Sequence, residues 1–296
     1  MSQPSASAAP SVVAVTGASG QVGGRVARRL AASGLATRLV GRDPARLPEL
    51  PGAVRADPAE YGDGEAMRRA LDGADTLFLV SARESADRVR EHRSAVDAAV
   101  AAGVRRIVYL SFLGAAPGAT FTFARDHWHT ERHIAGVPGL SYTFLRDSFY
   151  LAALPAMAGR DGVIRGPAGN GRVSAVAHDD IADVAAEVLL GTSHDGLSYD
   201  VTGREAIGLA DAAEALSRVT GRTVRYLPET REEAYASRDG YGAADWEVTG
   251  WVTSYEAIAT GELSTIADTV RRLTGHEPVT LAEYLEHHPE AYAHLM

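Results

Sequence analysis

Three glycines at G-x-x-G-x-x-G spacing, Gly17, Gly20 and Gly23, follow the apolar run Val12-Val13-Ala14-Val15 and precede the amphipathic run Val22 to Leu30. That order, strand then glycine turn then helix, is the layout of a dinucleotide-binding turn. The first glycine permits the tight turn, the second lets backbone approach a diphosphate, and the third lets the helix lie close on the strand. Free N–H groups at the helix start face an anion, and the helix dipole favours negative charge there. The expected diphosphate contacts are therefore Gly17, Ser19, Gly20, Gln21 and Val22. The plain alternative is a glycine turn that only packs strand on helix.

About twenty residues further on, where dinucleotide choice is usually made, the chain reads Leu39-Val40-Gly41-Arg42-Asp43-Pro44. An acidic side chain at that strand tip would bind a ribose 2′-hydroxyl. Here Arg42 stands there instead, and its guanidinium suits a 2′-phosphate by charge and by fork geometry. The expected cofactor is thus NADP (NADPH) rather than NAD. Asp43 either reaches the ribose or starts the turn before Pro44, and the alternative for Arg42 is a solvated surface residue.

Further down the chain, Ser81 and Ser111 each close an apolar run, where a nucleotide crevice opens, and are expected to border the nicotinamide side; the alternative for Ser111 is an ordinary strand terminus. His127 is placed to donate to ribose hydroxyls or to relay a proton, because histidine titrates nearest neutrality; a structural helix histidine is the alternative. Tyr150 is an expected wall of an acceptor pocket and a proton source. The expected catalytic set is His127, Ser111 and Tyr150, and the expected cofactor set adds Arg42, Ser81, Ser111 and His127 to the turn. His129 and His133, four apart on one helix face, have metal-ligand spacing, but no third ligand is fixed, so no metal is expected. Tyr241, Trp246 and Trp251 in a glycine-rich stretch either face a planar acceptor or anchor a helix.

Two absences bound the chemistry. All 29 Lys+Arg residues are arginine, so no Schiff base and no lysine general base exist. There is no cysteine, which removes disulfides, thiolate nucleophiles and cysteine-ligated metals.

The elements that must position these residues alternate as short apolar runs and amphipathic stretches, the pattern of parallel βα units. Strands are expected at Val12–Thr16, Thr37–Val40, Ala53–Ala56, Thr76–Val80, Arg106–Leu110 and Tyr142–Arg146. Helices are expected near Val22–Ser33, Glu65–Leu71, Arg88–Ala102 and Ala124–Ala135, with left-handed caps at Gly34, Gly103 and Gly136. The result is an α/β fold: a doubly wound parallel (Rossmann) sheet over residues 12–150. Residues 151–296 are expected to form a smaller α/β C-terminal substrate lobe, interleaved with the sheet as one structural unit. That half carries β-like pieces near Gly162, Arg172, Ser198 and Thr223 and helices Asp179–Leu190 and Leu209–Thr220. The amphipathic tail Thr280–Met296 is expected to pack back on the body.

A net charge of −9 over 296 residues argues against a nucleic-acid surface. No apolar run approaches bilayer-spanning length, so no membrane partner is expected. Met1 to Ser11 is Ser/Ala/Pro-rich without a basic segment or apolar core, which reads as a disordered tail rather than an export signal. The expectation is a cytoplasmic protein with a small-molecule acceptor and a possible homodimer.

The run Val15-Thr16-Gly17-Ala18-Ser19-Gly20-Gln21-Val22-Gly23, with Gly41-Arg42-Asp43-Pro44, resembles the atypical short-chain dehydrogenase/reductases of the NmrA-like group. Within that group the chain is similar to the NADPH-dependent quinone oxidoreductases. Leu79-Val80-Ser81, Ala101-Ala102-Gly103-Val104, Tyr109-Leu110-Ser111, Tyr142-Thr143-Phe144-Leu145-Arg146, the segment Gly166 to Arg172, and Asp179-Asp180-Ile181-Ala182 extend the likeness over nearly the whole chain.

Standard members of the wider superfamily reduce carbonyls with a tyrosine and a lysine four residues apart on the helix after the fifth strand. The resemblance places Phe123 in the tyrosine slot and His127 in the lysine slot. Both substitutions fit the quinone-reductase subgroup. Hydride addition to a simple ketone develops an alkoxide that demands a strong donor. Addition to a quinone yields a delocalised phenolate that water protonates, so orientation of the two rings suffices. The resemblance thus implies hydride transfer from NADPH to a quinone or similar electron-poor conjugated acceptor. It leaves two alternatives: a non-catalytic NADP(H)-sensing regulator, or a secondary-metabolite tailoring reductase of an enone or imine.

Overall fold

A computed structural model describes residues 11–296. All but the last residue of the expected disordered tail, Met1 to Ser11, lies outside the described residues. The chain enters through β1 (Val13–Thr16), whose four side chains are all buried, because a parallel strand covered on both faces carries a continuous apolar run. The glycine turn leads into α1 (Gln21–Ala32), then β2 (Thr37–Val40) and β3 (Ala53–Arg55). Next come α2 (Gly64–Ala70), β4 (Thr76–Val80), α3 (Arg88–Ala101) and β5 (Arg106–Phe112). Helix α4 (Thr122–Ala135) and β6 (Ser141–Asp147) complete the regular alternation.

The remaining elements are α5 (Ala153–Ala156), β7 (Val163–Gly166), β8 (Arg172–Val173), α6 (His178–Leu190) and β9 (Leu197–Val201). After them come β10 (Ile207–Gly208), α7 (Leu209–Thr220), β11 (Arg225–Pro228) and α8 (Arg231–Ala236). The chain finishes with α9 (Asp245–Ala259), α10 (Thr269–Thr274) and α11 (Leu281–His287).

Seven parallel strands form the main sheet in the order β3-β2-β1-β4-β5-β6-β9. The order reverses at β1/β4, which opens a ligand crevice beyond the C-terminal ends of those strands. One apolar layer on α1 and α6 and another on α2, α3 and α4 sandwich the sheet. Fully buried Leu77, Phe78, Leu79, Ile107, Tyr109 and Leu145 make its centre; burial of each such side chain contributes about 1.5–3 kcal/mol. Among the described residues no helix is long and apolar enough to cross a membrane.

The expected division at residue 150 does not follow the sheet. Helix α6 packs along α1, and β9 pairs with β6 as the seventh sheet strand. Arg25 and Arg29 of α1 fasten α6 through Asp179 at 3.0 Å each, and Arg29 reaches Asp183 at 2.6 Å. What remains outside the sheet is a smaller layer in which β11 pairs with β7, β10 pairs with β8, and α7 covers them. The tail returns to this layer with Leu285 and Leu295 fully buried. Asp180 of α6 accepts from the Val279 N–H at 3.0 Å and ties the tail to the sheet side. Gly34 (φ 78°) and Gly103 (φ 90°) are left-handed as expected, but Gly136 is not. Its φ is −81° because α4 ends on a right-handed residue, and the positive φ falls later, at Gly139.

Candidate functional site

Gly17 has a φ of +60°, and a Cβ there would press on Val80 of the neighbouring strand at 3.2 Å. This turn needs glycine for conformation and for space. A Cβ on Gly23 would stand 2.4 Å from the Gly17 carbonyl oxygen and 2.7 Å from that of Thr16, so the helix lies directly on the turn. Helix α1 begins without a side-chain cap and without an acidic residue in its first turn. Its leading N–H groups therefore lack a side-chain acceptor. Ser19, Gly20 and Gln21 are exposed there, while Val22 is buried in the α1 layer. The Gln21 side chain turns along the helix, accepting from Arg25 at 2.6 Å. Under the turn, Thr16 Oγ1 accepts from the Val80 N–H at 2.9 Å and donates to the Phe78 carbonyl at 3.2 Å. Tyr61 donates to the Val80 carbonyl at 2.6 Å. These contacts hold the ends of β1 and β4 side by side beneath the crevice.

Arg42 is exposed at the tip of β2 and has no ion-pair partner among the described residues. Asp43 starts the turn: its Oδ1 accepts from the Ala45 N–H at 3.0 Å and caps the short helical turn Pro44–Arg46. The carboxylate is thereby occupied and the guanidinium is left open. A cradle of backbone N–H groups with an unpaired arginine at the next strand tip fits a dinucleotide that carries a 2′-phosphate.

Ser111 departs from the expected role. It ends up fully buried, and its hydroxyl donates to Glu131 Oε1 at 2.6 Å. Arg146 of β6 grips the same carboxylate through Nε at 2.8 Å and Nη2 at 2.6 Å. Glu131 is 3% exposed, and a buried carboxylate requires such partners. The Ser111 hydroxyl is consequently turned into the α4 packing and not toward a nicotinamide or an acceptor.

His127 also departs from its expectation. It is 5% exposed, and both ring nitrogens are engaged. Arg88 Nη2 donates to Nε2 at 3.2 Å, which requires the proton on Nδ1; that N–H donates to the Tyr109 hydroxyl at 2.9 Å. Burial, then the Arg88 charge and the neighbouring His92, hold the ring neutral, well below the ordinary histidine range. It has no proton to offer a ribose or an acceptor. His92 repeats the arrangement: the Ala82 N–H donates to Nε2 at 2.8 Å, so Nδ1 donates to Thr130 at 2.8 Å. Burial foremost pulls its pKa down to about 3.

Arg88, first residue of α3, was not singled out by spacing. It is 6% exposed, donates through Nε to the Ala82 carbonyl at 3.0 Å, and lies 5.8 Å from the Phe123 ring centroid. Its Nη1 is buried with no hydrogen-bond partner, and the nearest carboxylate, Asp126, stands 4.0 Å away. Phe123 is sealed from the other side by α9. A Cβ on Gly250 would meet that ring at 2.5 Å, and Trp246 lies against it at 6.1 Å. Trp246 thus anchors α9, whereas Tyr241, 71% exposed, leans edge-on to Trp251 at 6.1 Å.

Asp147, at the end of β6, is the other group that spacing did not point to. It is 3% exposed, and its Oδ2 has no hydrogen-bond partner. Burial pushes its carboxyl well above the usual carboxylate range, against the opposing pull of Tyr150 and Arg88. Burial and the adjacent Asp147 likewise raise the Tyr150 phenol. Tyr150 packs against the His178 ring at 4.4 Å. Phe112, Phe121 and Phe149 form an aromatic wall with centroids 5.2–5.9 Å apart. Ser81 is half-buried where β4 exits. Of the two histidines with metal spacing, His133 pairs with Asp97 at 2.7 Å and His129 packs on Trp128; they do not share a ligand site.

Residues 17–191 match the model of an NAD(P)H-binding family. Across 93% of its length the chain is 33% identical to quinone oxidoreductase 2 of Escherichia coli, covering 98% of that protein. It is also 33% identical, over 95% of its length, to the (4-alkanoyl-5-oxo-2,5-dihydrofuran-3-yl)methyl phosphate reductase of Streptomyces griseus, covering 99% of it. The crystal structure of an NADPH-dependent quinone oxidoreductase from Escherichia coli complexed with NADPH superposes with a TM-score of 0.84 at 31% identity. That match covers 93% of this chain and 99% of the other.

Proposed function

This chain belongs to the NAD(P)H-binding family and is an oxidoreductase, and from that premise we propose that it passes hydride from NADPH to a quinone or a similarly electron-poor conjugated acceptor. The observation that carries the reading is the state of the acid slot. Phe123 stands where ketone reducers keep a tyrosine, and it is enclosed by Arg88, Gly250 and Trp246. The nearby hydroxyl of Ser111 and the ring of His127 are committed to Glu131 and to Arg88 and Tyr109. An acceptor whose reduced form is a weak base needs no strong donor at that point.

In this reading the turn Gly17, Ser19, Gly20, Gln21 and Val22 holds the diphosphate, the Gly20 N–H closing the turn on the Gly17 carbonyl at 2.8 Å and the other N–H groups facing the anion, and Arg42 holds the 2′-phosphate. Ser81, at the exit of β4, borders the nicotinamide side. His127 acts by positioning Arg88, and Tyr150 with the Phe149 wall borders the acceptor. When bound, the nicotinamide supplies a hydride from C4; the protein contributes orientation and exclusion of water. A conjugated carbonyl of secondary metabolism is the second reading, favoured by the equal identity to the Streptomyces griseus reductase.

The test is consumption of NADPH by the purified protein, read at the absorbance of the reduced nicotinamide. A panel of benzoquinone, naphthoquinone, a butenolide and cyclohexanone separates the readings. Turnover with quinones and none with cyclohexanone is expected. Cyclohexanone turnover at a comparable rate, or none with any conjugated acceptor, would overturn the proposal.

A further inference from the structure

We propose that Arg88 is a catalytic residue whose Nη1 donates to the carbonyl oxygen of the acceptor and stabilises the negative charge that appears there on hydride transfer. The proposal rests on the hydride-transfer reading above and assigns the charge-stabilising role left open by the missing tyrosine and lysine.

A buried cation is costly unless a carboxylate pairs with it, yet the one nearest Arg88 is 4.0 Å away. It is the first residue of α3, and a helix N-terminus repels positive charge. Stability of α3 therefore gives no reason for a cation here. Its hydrogen bonds go to neutral groups, the Ala82 carbonyl and the acceptor nitrogen of His127, with the face of Phe123 beside it; the carboxyls of Asp126, Glu84 and Asp147 feel its charge without hydrogen-bonding to it. Those hydrogen bonds account for Nε and Nη2 and fix the plane of the guanidinium. Nη1 alone is left without a partner, and it is buried.

The guanidinium lies over Phe123, the residue that occupies the tyrosine slot, so a fixed donor stands over the ring that replaces the family's mobile proton. Hydride bonded to a conjugated acceptor carries two electrons; one carbonyl π bond opens and its pair ends on oxygen. NADPH is oxidised to NADP, the oxygen becomes an anion, and water later protonates it. A permanent cation suits this task better than an acid, because the anion formed is weakly basic and needs charge balance more than a proton. Neutral His127, unable to compete for that anion, holds Arg88 in place.

The experiment uses Arg88→Gln and Arg88→Lys in the full chain, with folding checked by circular dichroism. Cofactor binding is read by nicotinamide fluorescence. Two readouts decide. The first is kcat/KM for a series of quinones whose hydroquinones differ in acidity. The second needs no turnover: the ionisation of 4-nitrophenol bound to the NADP-saturated protein, followed by the visible absorbance of its anion. The expectation for Arg88→Gln is unchanged NADPH affinity and a fall in kcat/KM of roughly 100-fold. That loss should be largest for quinones with the least acidic hydroquinones, and the acid-ward shift of bound 4-nitrophenol should vanish. Arg88→Lys keeps the charge and falls between, which covers the case in which the glutamine variant does not fold.

Full activity in folded Arg88→Gln overturns the proposal, as does a wild-type protein that leaves 4-nitrophenol ionisation unaltered. A loss of equal size for every quinone with the 4-nitrophenol shift intact also overturns it, since that is the behaviour of a structural residue. Absence of turnover with every acceptor in wild type would instead remove the hydride-transfer reading, with the 4-nitrophenol shift still reporting on Arg88.

Discussion

Gly23→Ala isolates the close approach of α1 to the glycine turn. The added methyl would sit 2.4 Å from the Gly17 oxygen, 2.7 Å from the Gly17 carbon and 2.7 Å from the Thr16 oxygen, all of them backbone atoms. None can swing aside as a side chain would, so the start of the helix has to retreat by about 1 Å to reach ordinary contact. Overpacking of this kind costs about 1–3 kcal/mol, and in a domain of this size each kcal/mol lowers Tm by about 2–4 °C. The same retreat pulls the N–H groups of Gln21 and Val22 off the diphosphate. Loss of one charge-assisted hydrogen bond, about 1.5–3 kcal/mol, weakens NADPH binding by roughly 10- to 150-fold. The assay pairs a thermal melt with a nicotinamide fluorescence titration. Gly34→Ala serves as the comparison, because that glycine has a positive φ with nothing within 4 Å. It should lose stability and keep its NADPH affinity. Wild-type affinity in folded Gly23→Ala would refute the cradle.

Three further outcomes follow from the same geometry. Arg42→Ala should weaken NADPH by about 10-fold or more and leave NADH unchanged, by calorimetric titration; an equal loss for both would remove Arg42 from the 2′-phosphate. Glu131→Gln replaces a buried carboxylate by a neutral amide beside half-buried Arg146 and should destabilise by about 1–3 kcal/mol in urea unfolding, with a wild-type midpoint as the contrary result. Lowering the pH below about 6.5 should destabilise the fold through three histidines, a loss that the raised carboxyl of Asp147 offsets in part. His92 and His178 titrate at about 3 and about 4 in the folded protein, and His127 also well below its ordinary value, chiefly through burial. The unfolded chain therefore takes up protons below about 6.5 that the folded chain refuses. Stability present above that pH is lost toward pH 4, by about 1.4 kcal/mol per unit for each histidine that stays neutral; urea midpoints that hold steady from pH 6.5 to 5 would contradict this.

Strands β1, β4 and β5 were legible because each carries a continuous apolar run, the pattern that burial on two faces imposes, whereas the edge strand β3, with Val54 exposed, was legible only from its place in the alternation. The seventh was misplaced. Leu197-Ser198-Tyr199-Asp200-Val201 has one half-exposed face because it is an edge strand, and that alternation resembles the short pieces of the smaller layer. Gly17, Gly20 and Gly23 were readable as a strand-to-helix turn because all three lie within one short stretch of sequence. Arg88, His92, Tyr109 and Thr130 come from two helices and a strand, so no spacing announces them. Ser111 misled for a related reason: a strand-end serine points to the crevice or to the packing according to its partner, and Glu131 lies twenty residues away.

The central claim is hydride transfer to a conjugated acceptor in a site without a tyrosine acid. A stopped-flow single turnover of NADPH-loaded protein mixed with benzoquinone tests it most directly, with NADPH carrying hydrogen or deuterium at the transferred C4 position. Nicotinamide absorbance is expected to fall in one rapid phase that slows with deuterium. Absorbance that persists after mixing, or falls no faster than in the absence of protein, would contradict the account.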